Sequence, residues 1–139
     1  MPTCAAPILG YDVAMKIDAK TGKPHLEFFQ VGEDGWIEIA PGVRHKILAG
    51  GLDEAKKRGF LNRLVRWAPG AAIDAVIVHE FYEEVFVVSG ELLVAAQDDR
   101  RRFESFPAPS FACRPPGVPH GPFRAGPQGC VLFENQFYL

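Results

Sequence analysis

A chain of 139 residues, 47% of them apolar, is long enough to bury one core, and a single domain is expected. The formal charge of −2 gives no electrostatic basis for holding nucleic acid or an anionic membrane surface, and no apolar run approaches bilayer-spanning length. Eleven Phe, three Tyr and two Trp supply large apolar surface of the kind that suits strands. The first ten residues, MPTCAAPILG, lack the basic and apolar regions of a signal peptide, so the cytoplasm is the expected location. Cys4, Cys113 and Cys130 are odd in number and form no C-x-x-C pair, which argues against a structural zinc site or a disulfide framework. Cys113 and Cys130 are expected to be small buried hydrophobes.

In chain order, residues 1–10 read as a loose leader. Residues 11–17 alternate, with Val13, Met15 and Ile17 on one face. A polar turn at residues 19–23 and a second apolar run at 26–31 complete a hairpin pattern. Its open edge invites a partner. Residues 1–35 are therefore set apart as leader and hairpin, packed on a main body of 36–139. That body opens with a strand at 36–39, the Pro41-Gly42 turn and a strand at 43–48. Residues 50–59 are the one stretch with helical character, good for a turn or two, with a polar loop as the alternative.

Residues 60–67 alternate, but each face carries polar groups, so Arg63 or Arg66 could point inward and would then need an anion beside it. Strands follow at 73–79, at 85–88 continuing through 92–94, at 111–113 and at 130–138. Between them stand turns at 106–109, 115–119 and 126–129, and a charged hairpin tip, QDDRRR, at 97–102. Many short strands separated by Gly and Pro turns, with almost no helix, indicate an all-β sandwich or barrel.

Two segments carry the chemistry. In the first, alternation puts Ile73, Ala75, Ile77 and His79 on one face, and Glu83 follows a short break. An imidazole at the end of an apolar face needs a partner, which a metal or a carboxylate would supply. In the second, the Pro116-Gly117 turn and Pro119 deliver His120 to the start of another strand.

These segments resemble the two motifs of the cupin superfamily. The first family motif is a Gly, a His-x-His pair, a Glu and a closing Gly; here Gly70 opens it, Ile77 and His79 take the His positions, and Glu83 and Gly90 follow. The second centres on P-x-G-x-x-H, which Pro115-Pro116-Gly117-Val118-Pro119-His120 matches outright. The strings EEVFVVSG and PPGVPHGPF are similar to the cupin domain of ChrR-type proteins and to small cupin dioxygenases that cleave diketones or hydroxyaryl ketones. The resemblance covers residues 41–139 and implies a single-domain jelly-roll β-barrel.

It also implies a divalent transition metal, iron first, with zinc, nickel or manganese as alternatives. Ile77 cannot ligate, which leaves His79, Glu83 and His120 as the implied ligands. Two imidazoles and one carboxylate are a recognised set for non-haem Fe(II). The implied activity is dioxygenase-type carbon–carbon cleavage of a small organic substrate. The alternatives are an isomerase or cyclase with Glu83 as base, or a ligand-binding or sensor cupin with a degenerate metal site. Beside Glu83, the catalytic candidates are Tyr82 and Arg66. Glu134, Gln136, Lys46 and Arg63 form a second tier, with a surface salt bridge the commoner fate of such cations. A homodimer is expected, because the hairpin offers an edge and the family is often dimeric.

Overall fold

The computed structural model describes residues 16–139, and there the period-two patterning becomes eight strands, with no helix among the described residues. They are β1 (Ile37–Ala40), β2 (Val43–Asp53), β3 (Arg58–Trp67), β4 (Ala72–Ile73), β5 (Tyr82–Ala95), β6 (Phe103–Pro107), β7 (Ser110–Arg114) and β8 (Phe123–Phe137). All pairings are antiparallel, in the order β1-β2-β3-β8-β5-β6, with β4 added on β8 and β7 on β5. Two long strands let the sheet roll up. Strand β5 pairs with β7 through residues 83–87 and with β6 through 91–95, and β8 meets β4, β5 and β3 in turn. This is the single-domain jelly roll of a cupin.

The inward faces meet in a core of Val43, Val65, Trp67, Val85, Val87, Leu92, Phe123 and Leu132. Each such side chain stabilises the fold by about 1.5–3 kcal/mol on leaving water. The bend in β5 falls at Gly90, where φ is 73° and a Cβ would lie 2.1 Å from the Gly129 carbonyl oxygen. Only glycine relieves both the left-handed backbone and the close approach.

Several elements differ from the sequence reading. Residues 50–59 form no helix: β2 runs on to Asp53, a turn follows, and β3 returns, pairing Gly51 with Phe60 and Asp53 with Arg58. A helix of one or two turns is marginal, and an uninterrupted ladder outcompetes it. The 73–79 strand shrinks to β4 and an isolated bridge between Ile77 and His120, since Asp74 and Ala75 leave the ladder. The 126–129 turn is absorbed as an irregular stretch of β8.

In the amino-terminal hairpin the turn forms, with Asp18 Oδ1 accepting from the Lys20 and Thr21 amides and a bridge joining Ile17 to Pro24. Residues 26–31 join no ladder among the described residues, and the 11–15 part of that hairpin lies outside them. Cys130 is buried, which pushes its thiol up to about 12. Cys113 is exposed, because it faces outward between Ala112 and Arg114.

Candidate metal centre

Strand alternation sorts the site. On β5, Glu83 and Val85 face in, while Tyr82 and Glu84 face out. On β8, Leu132, Glu134 and Gln136 face in, and on β3 so do Arg63, Val65 and Trp67. These inward groups line a cavity of ≈170 Å³ together with His79, Phe81, Arg114, His120 and Phe123. The Pro-rich loop is locked to the first segment by backbone bonds: Ile77 and His120 exchange both amides at 2.7 and 3.0 Å, and the Gly117 amide donates to the His79 carbonyl at 2.8 Å. Ile77, which cannot ligate, thus sets the spacing of the two histidines through its main chain.

His79, Glu83 and His120 offer ligand atoms that all lie within 4.8 Å of one another. Each ring has its Nδ1 on a main-chain carbonyl, His79 on Phe81 and His120 on Val118, both at 2.9 Å. A carbonyl only accepts, so each Nδ1 donates and each Nε2 is the atom turned to Glu83. Both Nε2 atoms face one carboxylate oxygen: Glu83 Oε2 is 3.5 Å from His79 Nε2 and 3.6 Å from His120 Nε2. His79 Nε2 is buried with no hydrogen-bond partner. Two imidazole nitrogens and a carboxylate oxygen that converge in this way suit a cation, so the residues could hold a divalent metal. Phe81 stacks on the His79 ring at 3.9 Å, almost parallel, and fixes its plane.

The surroundings set the charges. Burial pushes the Glu83 carboxyl up, but His79, Arg114 and Gln136 outweigh it and hold it at about 2. Arg114 Nη1 donates to Oε2 at 3.1 Å and Gln136 Nε2 to Oε1 at 3.0 Å. His120 is lowered chiefly by burial and also by Arg114. Glu134 is raised by burial and by Glu83, against the pull of Arg63, whose Nε donates to it at 2.6 Å. Arg63 Nη1 also meets His45 Nδ1 at 3.1 Å, and His45 is lowered by burial and by Arg63.

The structure brings together His79, Glu83, His120, Arg63, Glu134 and Gln136 among the residues singled out from sequence. It does not bring Arg66 or Tyr82 to the cavity. Arg66 lies on the outward face of β3, paired with Glu33 at 2.7 and 3.1 Å and stacked over Trp36. Tyr82 stacks outside on Phe137 at 5.3 Å. Lys46 also turns out, donating to the Gly32 and Asp34 carbonyls. Arg114, Trp67 and Phe81 were missed. The one signal for Arg114 was its place next to the PPGVPH loop, two residues after the inward Ala112.

The model of the ChrR cupin-like domain matches residues 26–139. Among curated proteins, no sequence matches significantly. A solved RmlC-like cupin from Shewanella frigidimarina is 20% identical, with 82% of this chain and 93% of that one covered and a TM-score of 0.59. An acetylacetone dioxygenase from Acinetobacter johnsonii is 13% identical, with 99% and 80% covered and a TM-score of 0.59. KdgF from a Halomonas species is 19% identical, with 83% and 96% covered and a TM-score of 0.60. At these identities the structures speak for the fold alone, whereas the family model spans most of the chain: the protein belongs to the ChrR cupin-like family.

Proposed function

We propose that this protein is a metal-dependent cupin enzyme, with iron held by His79, Glu83 and His120, that cleaves a carbon–carbon bond of a small diketone or hydroxyaryl ketone with dioxygen. The observation that carries the reading is the convergence of His79 Nε2 and His120 Nε2 on Glu83 Oε2, with the His79 nitrogen buried and without a hydrogen-bond partner. When bound, the metal supplies Lewis-acid and one-electron chemistry toward substrate oxygens and dioxygen. The chain's own residues do the rest. Gln136 and Arg114 hold Glu83 ionised and oriented, the two carbonyls fix the imidazole tautomers, and Ile77, Val85, Phe123 and Leu132 keep water from the reacting atoms.

A base-catalysed isomerase or cyclase fits less well. Such a base needs a free lone pair, whereas Glu83 already accepts from Arg114 and Gln136, and Glu134 from Arg63. The test is metal content after purification without a chelating tag and anaerobic incubation with Fe(II). About one equivalent per chain is expected, falling at least about tenfold in His120→Ala and in Glu83→Gln. Oxygen uptake should then appear only with metal and a small diketone present. A wild-type chain that holds no metal overturns the reading.

A further inference from the structure

The charged tip between β5 and β6, residues 97–102, reads from sequence as a solvated turn, yet it stands against the loop that carries His120. That loop is poor in donors, because Pro119 and Pro122 have no amide hydrogen. Its carbonyls must be met from elsewhere, and five in a row are. Val118 accepts from the His120 ring at 2.9 Å, His120 from the Ile77 amide at 2.7 Å and Pro122 from the Ala95 amide at 2.9 Å. The other two are met by side chains of the tip. Gln97 Nε2 donates to the Pro119 carbonyl at 3.2 Å, and Arg100 Nη1 donates to the Gly121 carbonyl.

Those two carbonyls flank His120 on either side. Gln97 and Arg100 are also tied to each other: Arg100 Nη2 donates to Gln97 Oε1 at 3.2 Å, which leaves the Gln97 amide nitrogen turned to Pro119. Gly121 has a φ of 90°, and a Cβ there would lie 2.9 Å from the Ala75 carbonyl oxygen, so this backbone is closely confined. The tip itself is closed by the Ala96 amide on the Arg102 carbonyl at 2.8 Å and by Arg102 between Asp98 and Glu104. Arg101 stands apart, with its side chain 92% exposed and its bonds among the described residues going to Asp99.

We propose that the β5–β6 tip positions His120, with Gln97 and Arg100 as positioning residues that act through the main chain of residues 119–121. Without them the Pro119 and Gly121 carbonyls turn to water, the loop loosens, and His120 Nε2 is no longer held 3.6 Å from Glu83 Oε2. The consequence for metal affinity rests on the metal reading. Its sign is distinctive for Arg100. Removing a nearby cation should by charge alone strengthen the binding of a metal ion, so a fall in affinity reports lost position.

The test compares the wild-type chain with Arg100→Ala, Gln97→Ala, Arg100→Lys and Arg101→Ala. In the metal-free protein, exchange of the His120 amide hydrogen, bonded to the Ile77 carbonyl at 3.0 Å, should quicken at least about tenfold in Arg100→Ala and in Gln97→Ala. Exchange along β3 should stay unchanged and shows that the fold is kept. Arg100→Lys, which retains a charged donor, should restore most of the protection, and Arg101→Ala should match wild type. Arg100→Ala and Gln97→Ala should each bind Co(II) about tenfold more weakly, with altered visible absorption bands, whereas Arg101→Ala, which removes the same charge as Arg100→Ala, should not. Wild-type exchange at His120 in Arg100→Ala and Gln97→Ala overturns the proposal, as does an equal effect of Arg101→Ala. Quickened exchange with unchanged Co(II) affinity overturns the role at the metal centre. A wild-type chain that takes up no Co(II) overturns the metal reading instead, and exchange at His120 then decides the positioning by itself.

Discussion

At position 77 an isoleucine stands where the family motif has its first histidine, yet the residue keeps a structural role through its two backbone bonds to His120. Arg114 and Gln136 close around Glu83 beside it. The pH dependence of the metal-free protein should report this. Glu83 lies below its ordinary value of 4.5, at about 2, so its contribution is full above pH 4.5 and is lost as pH falls through about 2. At most about 3 kcal/mol is involved, at 1.36 kcal/mol per unit. Glu134 works the other way: its raised carboxyl favours the fold at low pH, and that contribution is lost as pH rises. Urea melts at about pH 6 and about pH 3 should show wild type losing clearly more stability on acidification than Glu83→Gln. Equal losses would mean that Glu83 is not held down. Arg66 and Tyr82 illustrate a limit at this scale. A basic and an aromatic residue beside a motif look catalytic in one dimension, but each is one residue out of phase with the inward face, so each points away from the cavity.

Among the elements, β5 joins the site to the barrel, because its first half presents Glu83 and its second half pairs with β6. The change of direction rests on Gly90. Gly90→Ala should destabilise the protein by about 1–3 kcal/mol from the left-handed backbone alone, and more from the clash with the Gly129 carbonyl. Thermal denaturation measures this, and an unchanged midpoint would show that the bend is not needed. The β2–β3 hairpin shows why local signals misled. A short polar run with Asp, Glu, Ala and Lys satisfies helix rules, but only the alignment of Gly51 with Phe60 makes it a turn between long strands. The Pro-rich loop is the opposite case, since its Pro and Gly residues fix the backbone locally and His120 arrives where the motif puts it.

For the whole molecule, the outer face of the sheet is unusual. Leu64, Phe133, Phe86 and Phe111 form a row across four strands, with Phe111 64% exposed. Beside it, residues 26–31 run close to Leu48, Ala49 and Phe133, and Phe28 is 106% exposed. We propose that a second copy covers this surface, as exposed apolar patches and open strand edges favour. Light scattering on the eluting protein should give twice the chain mass, and the double variant Phe28→Glu, Phe111→Glu should give the single mass with its fold retained. A monomeric wild type would count against the dimer. By itself the sequence determined the all-β class, the family and the three residues that converge as candidate ligands, because strand alternation and Pro-Gly turn chemistry are written in local order. Only the tertiary structure decided that Arg63 and Arg114 face the cavity while Arg66 and Tyr82 do not, and that Arg114 neutralises Glu83. Those facts depend on strand register and on pairing between distant strands, which no single segment encodes.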